Sequence, residues 1–124
     1  MSPVQASPEA ILAVGLVGTA IVLEEFGRVI APGGAGLVMS SMAGYMMPAL
    51  EPAQDEDLAH TPADELAELP MLSPEAVSNS GVAYGLAKRA TQLRVQAAAI
   101  AWGERGARVN SISPGIIITP LGPR

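Results

Sequence analysis

The chain has no cysteine and a single histidine, His60. A disulfide framework and a thiolate metal site are thereby excluded, and His60 has no partner histidine for a zinc centre. Charge is scarce: 15% of residues are charged, with 7 basic against 12 acidic side chains and a formal net charge of -5. No Lys/Arg cluster forms a nucleic-acid footprint, and the negative balance opposes polyphosphate partners. A long hydrophobic run is also missing. The uncharged apolar stretch from Ala10 to Leu23 covers 14 residues, short of the roughly 18 that a membrane span needs. A secretory signal wants a basic start, whereas the first basic residue is Arg28. These absences predict a protein with no membrane and no nucleic-acid role, and they fit a cytoplasmic setting.

What is present is apolar. Hydrophobic residues make up 49% of 124 positions, enough for one packed core and too much for a disordered chain. Ser7-Pro8-Glu9 reads as a helix start, because serine caps free amides, proline is tolerated in the first turn and glutamate suits the positive helix end. A helix is predicted from Pro8 into the Arg28 region. Its apolar residues, from Ile11 to Phe26, fall on most faces, so it is expected to be sandwiched between layers. Pro32-Gly33-Gly34 breaks the chain, and Gly36-Leu37-Val38-Met39-Ser40-Ser41 reads as a buried parallel strand ending in two serines.

The stretch 45–80 differs in character, with eight acidic residues, no Lys or Arg, and five prolines. It reads as an acidic helical insertion. Thr61-Pro62 and Ser73-Pro74 look like helix starts, so a small helical lid is expected there. From Val82 to Trp102 an alanine-rich run predicts a long helix ended by Gly103 and Gly106. Arg108 to Ser113 follows as a strand, and Pro114-Gly115 turns it into a loop.

Tyr84 and Lys88 stand four apart on that helix and therefore share a face about one turn apart. A phenol near its ordinary pKa of about 10 is a poor base at neutral pH, and a neighbouring ammonium favours the phenolate. Ligands of open α/β sheets bind beyond the carboxyl ends of the strands. Two serines end the first strand and Ser113-Pro114-Gly115 ends the second, so three features converge on one sheet edge.

The stretches LVMSSMAG, AYGLAKRA and RVNSISPGIIITP together resemble the short-chain dehydrogenase/reductase family, specifically its C-terminal catalytic portion. The resemblance implies an α/β fold, a partial Rossmann-like doubly wound parallel sheet, with the N-terminal nucleotide-binding half missing. It implies hydride transfer between NAD or NADP and a small apolar alcohol or ketone. Ser41 would polarise the substrate carbonyl, with Ser40 as the fallback, Tyr84 would donate or remove its proton, and Lys88 would lower the tyrosine pKa and hold the nicotinamide ribose. Pro114, Gly115, Ile117 and Thr119 would line the nicotinamide site. The 43-residue step from Ser41 to Tyr84 is similar to that of bacterial 3α-hydroxysteroid dehydrogenase/carbonyl reductases, which carry an insertion there and act on steroid-like substrates. Met39, Met42, Met46 and Met47 gather near the serines, as pocket wall or as core filler.

Two departures qualify the resemblance. Gly15 stands where family members often carry an asparagine, and it offers no side chain for a proton relay. No strand, glycine-rich turn and helix precede Pro8 to receive a pyrophosphate; Pro32-Gly33-Gly34 precedes a strand and cannot substitute. An oxidoreductase segment that is inactive by itself is therefore expected. The competing reading is a non-catalytic remnant acting as an interaction module. Either way, uncovered sheet edges predict a marginal chain or a homo-oligomer.

Overall fold

The computed structural model describes residues 6–120. Its first helix, Pro8–Val29, begins as the sequence predicts, with Ser7 Oγ accepting the Ala10 N–H at 3.2 Å and Pro8 in the first turn. The middle, Leu12–Gly18, is π-helical, and Thr19 Oγ1 closes it by donating to Gly15 O at 2.8 Å. Such widened turns are frequent at functional sites. The chain then reverses at Gly33, whose φ of +84° is open to glycine, and enters β1, Ala35–Met39.

The long helix Ser80–Glu104 is capped by Asn79, whose Oδ1 accepts the Val82 N–H at 2.9 Å. It stops at Gly106, where φ is +79°, and the chain continues into β2, Arg108–Ile112. The two strands pair in parallel, from Ala35 opposite Arg108 to Met39 opposite Ile112. Parallel pairing requires a long crossover, which the long helix supplies. The architecture is thus α/β, a small parallel sheet with its helices, consistent with part of a Rossmann-like fold. The two long helices pack through Ile11, Leu16 and Ala20 on one side and Ala83, Leu86, Ala87 and Ala90 on the other. A second cluster of Leu23, Val95, Trp102, Ala107 and Val109 joins them to the sheet.

The first helix is not sandwiched. Val14, Ile21, Val22, Phe26 and Val29 are 47% to 71% exposed. One face meets the long helix, whereas Val14 and Val22 line an open apolar groove with Leu37 and Met39 along β1. The helix is also 22 residues long, and by length and composition alone it is long and apolar enough to cross a membrane. The 14-residue uncharged run therefore understates its reach.

The stretch 45–80 forms helix, but not where the proline signals place it. The α-helix is Pro52–His60, opened by Glu51, whose N–H donates to Gln54 Oε1 at 3.0 Å. Thr61-Pro62 and Ser73-Pro74 instead open turns, and the segment adds only two short 3-10 turns, Leu66–Glu68 and Pro70–Leu72. It also shares the core, since Leu58, Ala63, Leu66, Leu72 and Val77 are buried in the same cluster as Ile11 and Leu86. Two arginines of the long helix hold it. Arg89 makes a fork to Asp55, with Nε and Nη2 at 3.3 and 2.9 Å from its two oxygens. Arg94 Nη1 donates to Leu58 O and Thr61 O at 3.1 and 2.7 Å, completing the C-terminal end of Pro52–His60. Its Nη2 reaches Glu24 Oε1 at 3.1 Å, and the same oxygen accepts the Ala63 N–H at 2.9 Å.

Candidate active site

The site is built where both strands end. Beyond β1, Ser40 N–H donates to Ile112 O at 2.8 Å and Met42 N–H to Pro114 O at 3.0 Å, so the two exits run side by side. The short helix Ala43–Met46 then seats on the long helix at Gly44. A Cβ at Gly44 would stand 2.8 Å from Arg89 N and 2.7 Å from Gln92 Nε2. Glycine is therefore what allows this close approach.

The adjacent serines separate by environment. Ser40 is 5% exposed and its Oγ donates to Lys88 O at 3.0 Å, which anchors the strand end to the helix. Ser41 is half-buried, and its Oγ accepts the Ala43 N–H at 3.2 Å, leaving the hydroxyl proton to be donated elsewhere. Of the two, Ser41 has the chemistry to polarise a carbonyl.

Tyr84 and Lys88 lie together as their spacing requires, with Nζ 5.6 Å from the ring centroid. A cation over a ring face is attracted by the ring quadrupole. The same Nζ donates to Met39 O at 3.2 Å, which ties it to the last residue of β1. Burial pushes the Lys88 ammonium below its ordinary value of 10.5. The unfolded chain then holds this proton more tightly than the folded one, so the Lys88 contribution to stability rises with pH between the lowered value and 10.5. In wild type against Lys88→Met, thermal midpoints measured from pH 8 to 10.5 should therefore shift in favour of the wild type as pH climbs; a gap independent of pH would contradict this.

Pro114 and Gly115 sit at the β2 exit, where a Cβ on Gly115 would come 3.0 Å from Met42 Sδ. Ile117 and Thr119 follow on an exposed stretch. Gly15 faces the same helix, since a Cβ there would lie 3.2 Å from Ala87 Cβ, one residue before Lys88. An asparagine at this place would press on a buried methyl that only a shift of the helix could relieve. Of the four methionines, Met39 and Met46 are 55% and 70% exposed, whereas Met47 packs against the main core. Gln92, on the same face as Tyr84 and Lys88, escaped the sequence reading. The available signal was a polar stripe, 84, 88 and 92, in an alanine-rich helix.

A family model described as enoyl-(acyl carrier protein) reductase matches residues 66–124, which takes in the long helix and the β2 exit. Short-chain dehydrogenase/reductase bsc3 of Alternaria brassicicola is 44% identical over 127 residues, covering 98% of this chain. The chain belongs to the short-chain dehydrogenase/reductase family. It spans 44% of the length of the Alternaria relative. No solved structure matches it. Membership of this oxidoreductase family gives the Tyr84 and Lys88 pair at the strand exits its chemical context, and such enzymes generally use NAD or NADP.

Proposed function

We propose that the chain is the catalytic segment of an NAD(P)-dependent oxidoreductase acting on an apolar alcohol or ketone, a steroid-like one at the upper end of size. The observation that carries this reading is the Lys88 ammonium, 5.6 Å from the Tyr84 ring centroid and hydrogen-bonded to the end of β1, next to Ser41. In the reducing direction the Ser41 hydroxyl donates a hydrogen bond to the substrate oxygen and so polarises the carbonyl. Tyr84 gives its phenolic proton to that oxygen, and Lys88 stabilises the phenolate left behind. The nicotinamide, when bound, supplies the hydride to the carbonyl carbon. The residues at hand suit its nicotinamide end: Lys88 and Tyr84 for the ribose, and Pro114, side-chain-free Gly115, Ile117 and Thr119 along the β2 exit for the ring.

Among the described residues no strand and glycine-rich turn open a helix in the way a pyrophosphate requires. The 124-residue chain by itself therefore addresses only one end of the cofactor and binds it weakly. A ligand that binds only the folded state must raise the thermal midpoint, so millimolar NADH or NADPH is expected to leave the midpoint of this chain unchanged. A clear upward shift, with calorimetry giving a micromolar Kd, would overturn this and mean that assembled copies complete the cofactor site.

A second reading, a non-catalytic interaction module, draws its support from Gly15, which leaves the place of the relay side chain empty, and from the open groove along β1. It predicts stable self-association with no turnover in any form of the protein.

A further inference from the structure

Gln92 lies one turn beyond Lys88 and two beyond Tyr84 on one helix face, and it is only 3% exposed. Its Nε2 donates to Ser41 O at 2.9 Å and, more weakly, to Ser113 Oγ at 3.4 Å. The two acceptors belong to different loops, since Ser41 leaves β1 and Ser113 leaves β2. One buried amide thus spans both exits from below.

The other half of that amide is anomalous. Gln92 Oε1 is buried with no hydrogen-bond partner. An orphaned buried acceptor forfeits its hydration with nothing in return, a loss that an apolar side chain of similar volume would avoid. Packing alone therefore does not explain a glutamine here, and unsatisfied groups of this kind mark places where function competes with stability. The surroundings are shaped to the amide as well. A Cβ at Gly44 would meet Nε2 at 2.7 Å and Oε1 at 2.9 Å, so the glycine of the Ser41 loop leaves the space that Gln92 fills.

We infer that Gln92 is a positioning residue. Its amide fixes where Ser41 stands relative to Tyr84 and couples that serine to the Ser113-Pro114 exit that leads into the cofactor turn. The inference rests on the reading of Ser41, Tyr84 and Lys88 as the reaction centre. No bond is made or broken at Gln92, and its influence passes through the Ser41 backbone.

The test uses amide hydrogen exchange and NMR on the 124-residue chain with two variants. Gln92→Met keeps the length and removes the donor. Gln92→Glu keeps a donor while its carboxyl is protonated, and burial pushes that carboxyl above the ordinary range. In Gln92→Met the amides of Met42, bonded across the two exits to Pro114 O, and Ala43, bonded within the Ser41 loop to Ser41 Oγ, should exchange together, at least about tenfold faster, while the interior of the long helix stays protected. In Gln92→Glu the same amides should remain protected at low pH and be released in one step as the carboxylate forms, a response that a space-filling role would not show. If Gln92→Met fails to fold, the pH response of Gln92→Glu decides alone. Protection that persists in Gln92→Met, release of Ala43 without Met42, or no pH-linked release in Gln92→Glu would overturn the inference. In any form of the protein that turns over, Gln92→Met should lower kcat and raise cofactor KM, because the exit it releases leads into the cofactor turn, and Ser41→Ala should add little to the loss in kcat. The exchange readout needs no turnover, so absence of turnover in every form of the protein would sink the proposed function and leave this test standing.

Discussion

Arg94→Ala is expected to destabilise the chain by about 3–5 kcal/mol, the range for breaking one side of a buried ion pair. The side chain is 7% exposed and has three acceptors, Leu58 O, Thr61 O and Glu24 Oε1. Removing it strands the carbonyls at the end of Pro52–His60 and leaves the partly buried Glu24 carboxylate with the Ala63 N–H but without its cation. The loss should be regional at first, because the contacts cut are those that fasten 45–80 to the long helix. Limited proteolysis should open that segment before the Ser80–Glu104 helix, and the thermal midpoint should fall by roughly 10–20 °C. Arg94→Met, which restores volume without donors, separates packing from hydrogen bonding and should recover only a minor part of the loss. A midpoint unchanged in both variants would show that 45–80 is held by its leucines alone.

The segment also shows where sequence reading stops. Its composition reads as an acidic helical lid, and the five apolar residues that enter the core, 58, 63, 66, 72 and 77, follow neither a helical nor a strand period. Its helix starts from glutamate and proline, a weaker signal than the Thr-Pro and Ser-Pro pairs that turned out to open turns. By contrast the two long helices and both strands were legible, because caps, glycine stops and apolar runs act locally. The Tyr84 and Lys88 pairing was legible for the same reason, being fixed by helical spacing. Gln92 was not, since its acceptors are a backbone carbonyl and a serine hydroxyl that tertiary structure brings to it from two loops. The exposure of Val14 and Val22 was equally invisible: an apolar helix face does not reveal which layer lies against it.

In a form of the protein that turns over, Tyr84→Phe is expected to lower turnover by about 10²–10⁴-fold, the usual worth of a positioned general acid or base. The substitution is selective. The ring keeps its packing against the main core and its place beneath the Lys88 ammonium, because both contacts use the ring and not the hydroxyl. The thermal midpoint should consequently stay within about 2 °C of wild type. Loss of turnover with loss of fold would leave the role of the hydroxyl unsupported, whereas loss of turnover alone assigns the proton transfer to it.

On the proposed function, this chain carries the acid–base centre of an oxidoreductase and gains turnover when nucleotide-binding structure is joined to it. The most direct measurement joins the 124 residues to the part of the Alternaria relative that they do not span and follows NADH and NADPH oxidation with an apolar ketone. The chain alone should show no turnover, the joined protein should show it, and Tyr84→Phe in the joined protein should lower it by about 10²–10⁴-fold. A joined protein that folds and binds cofactor yet does not turn over, or turnover that survives Tyr84→Phe, would contradict the account.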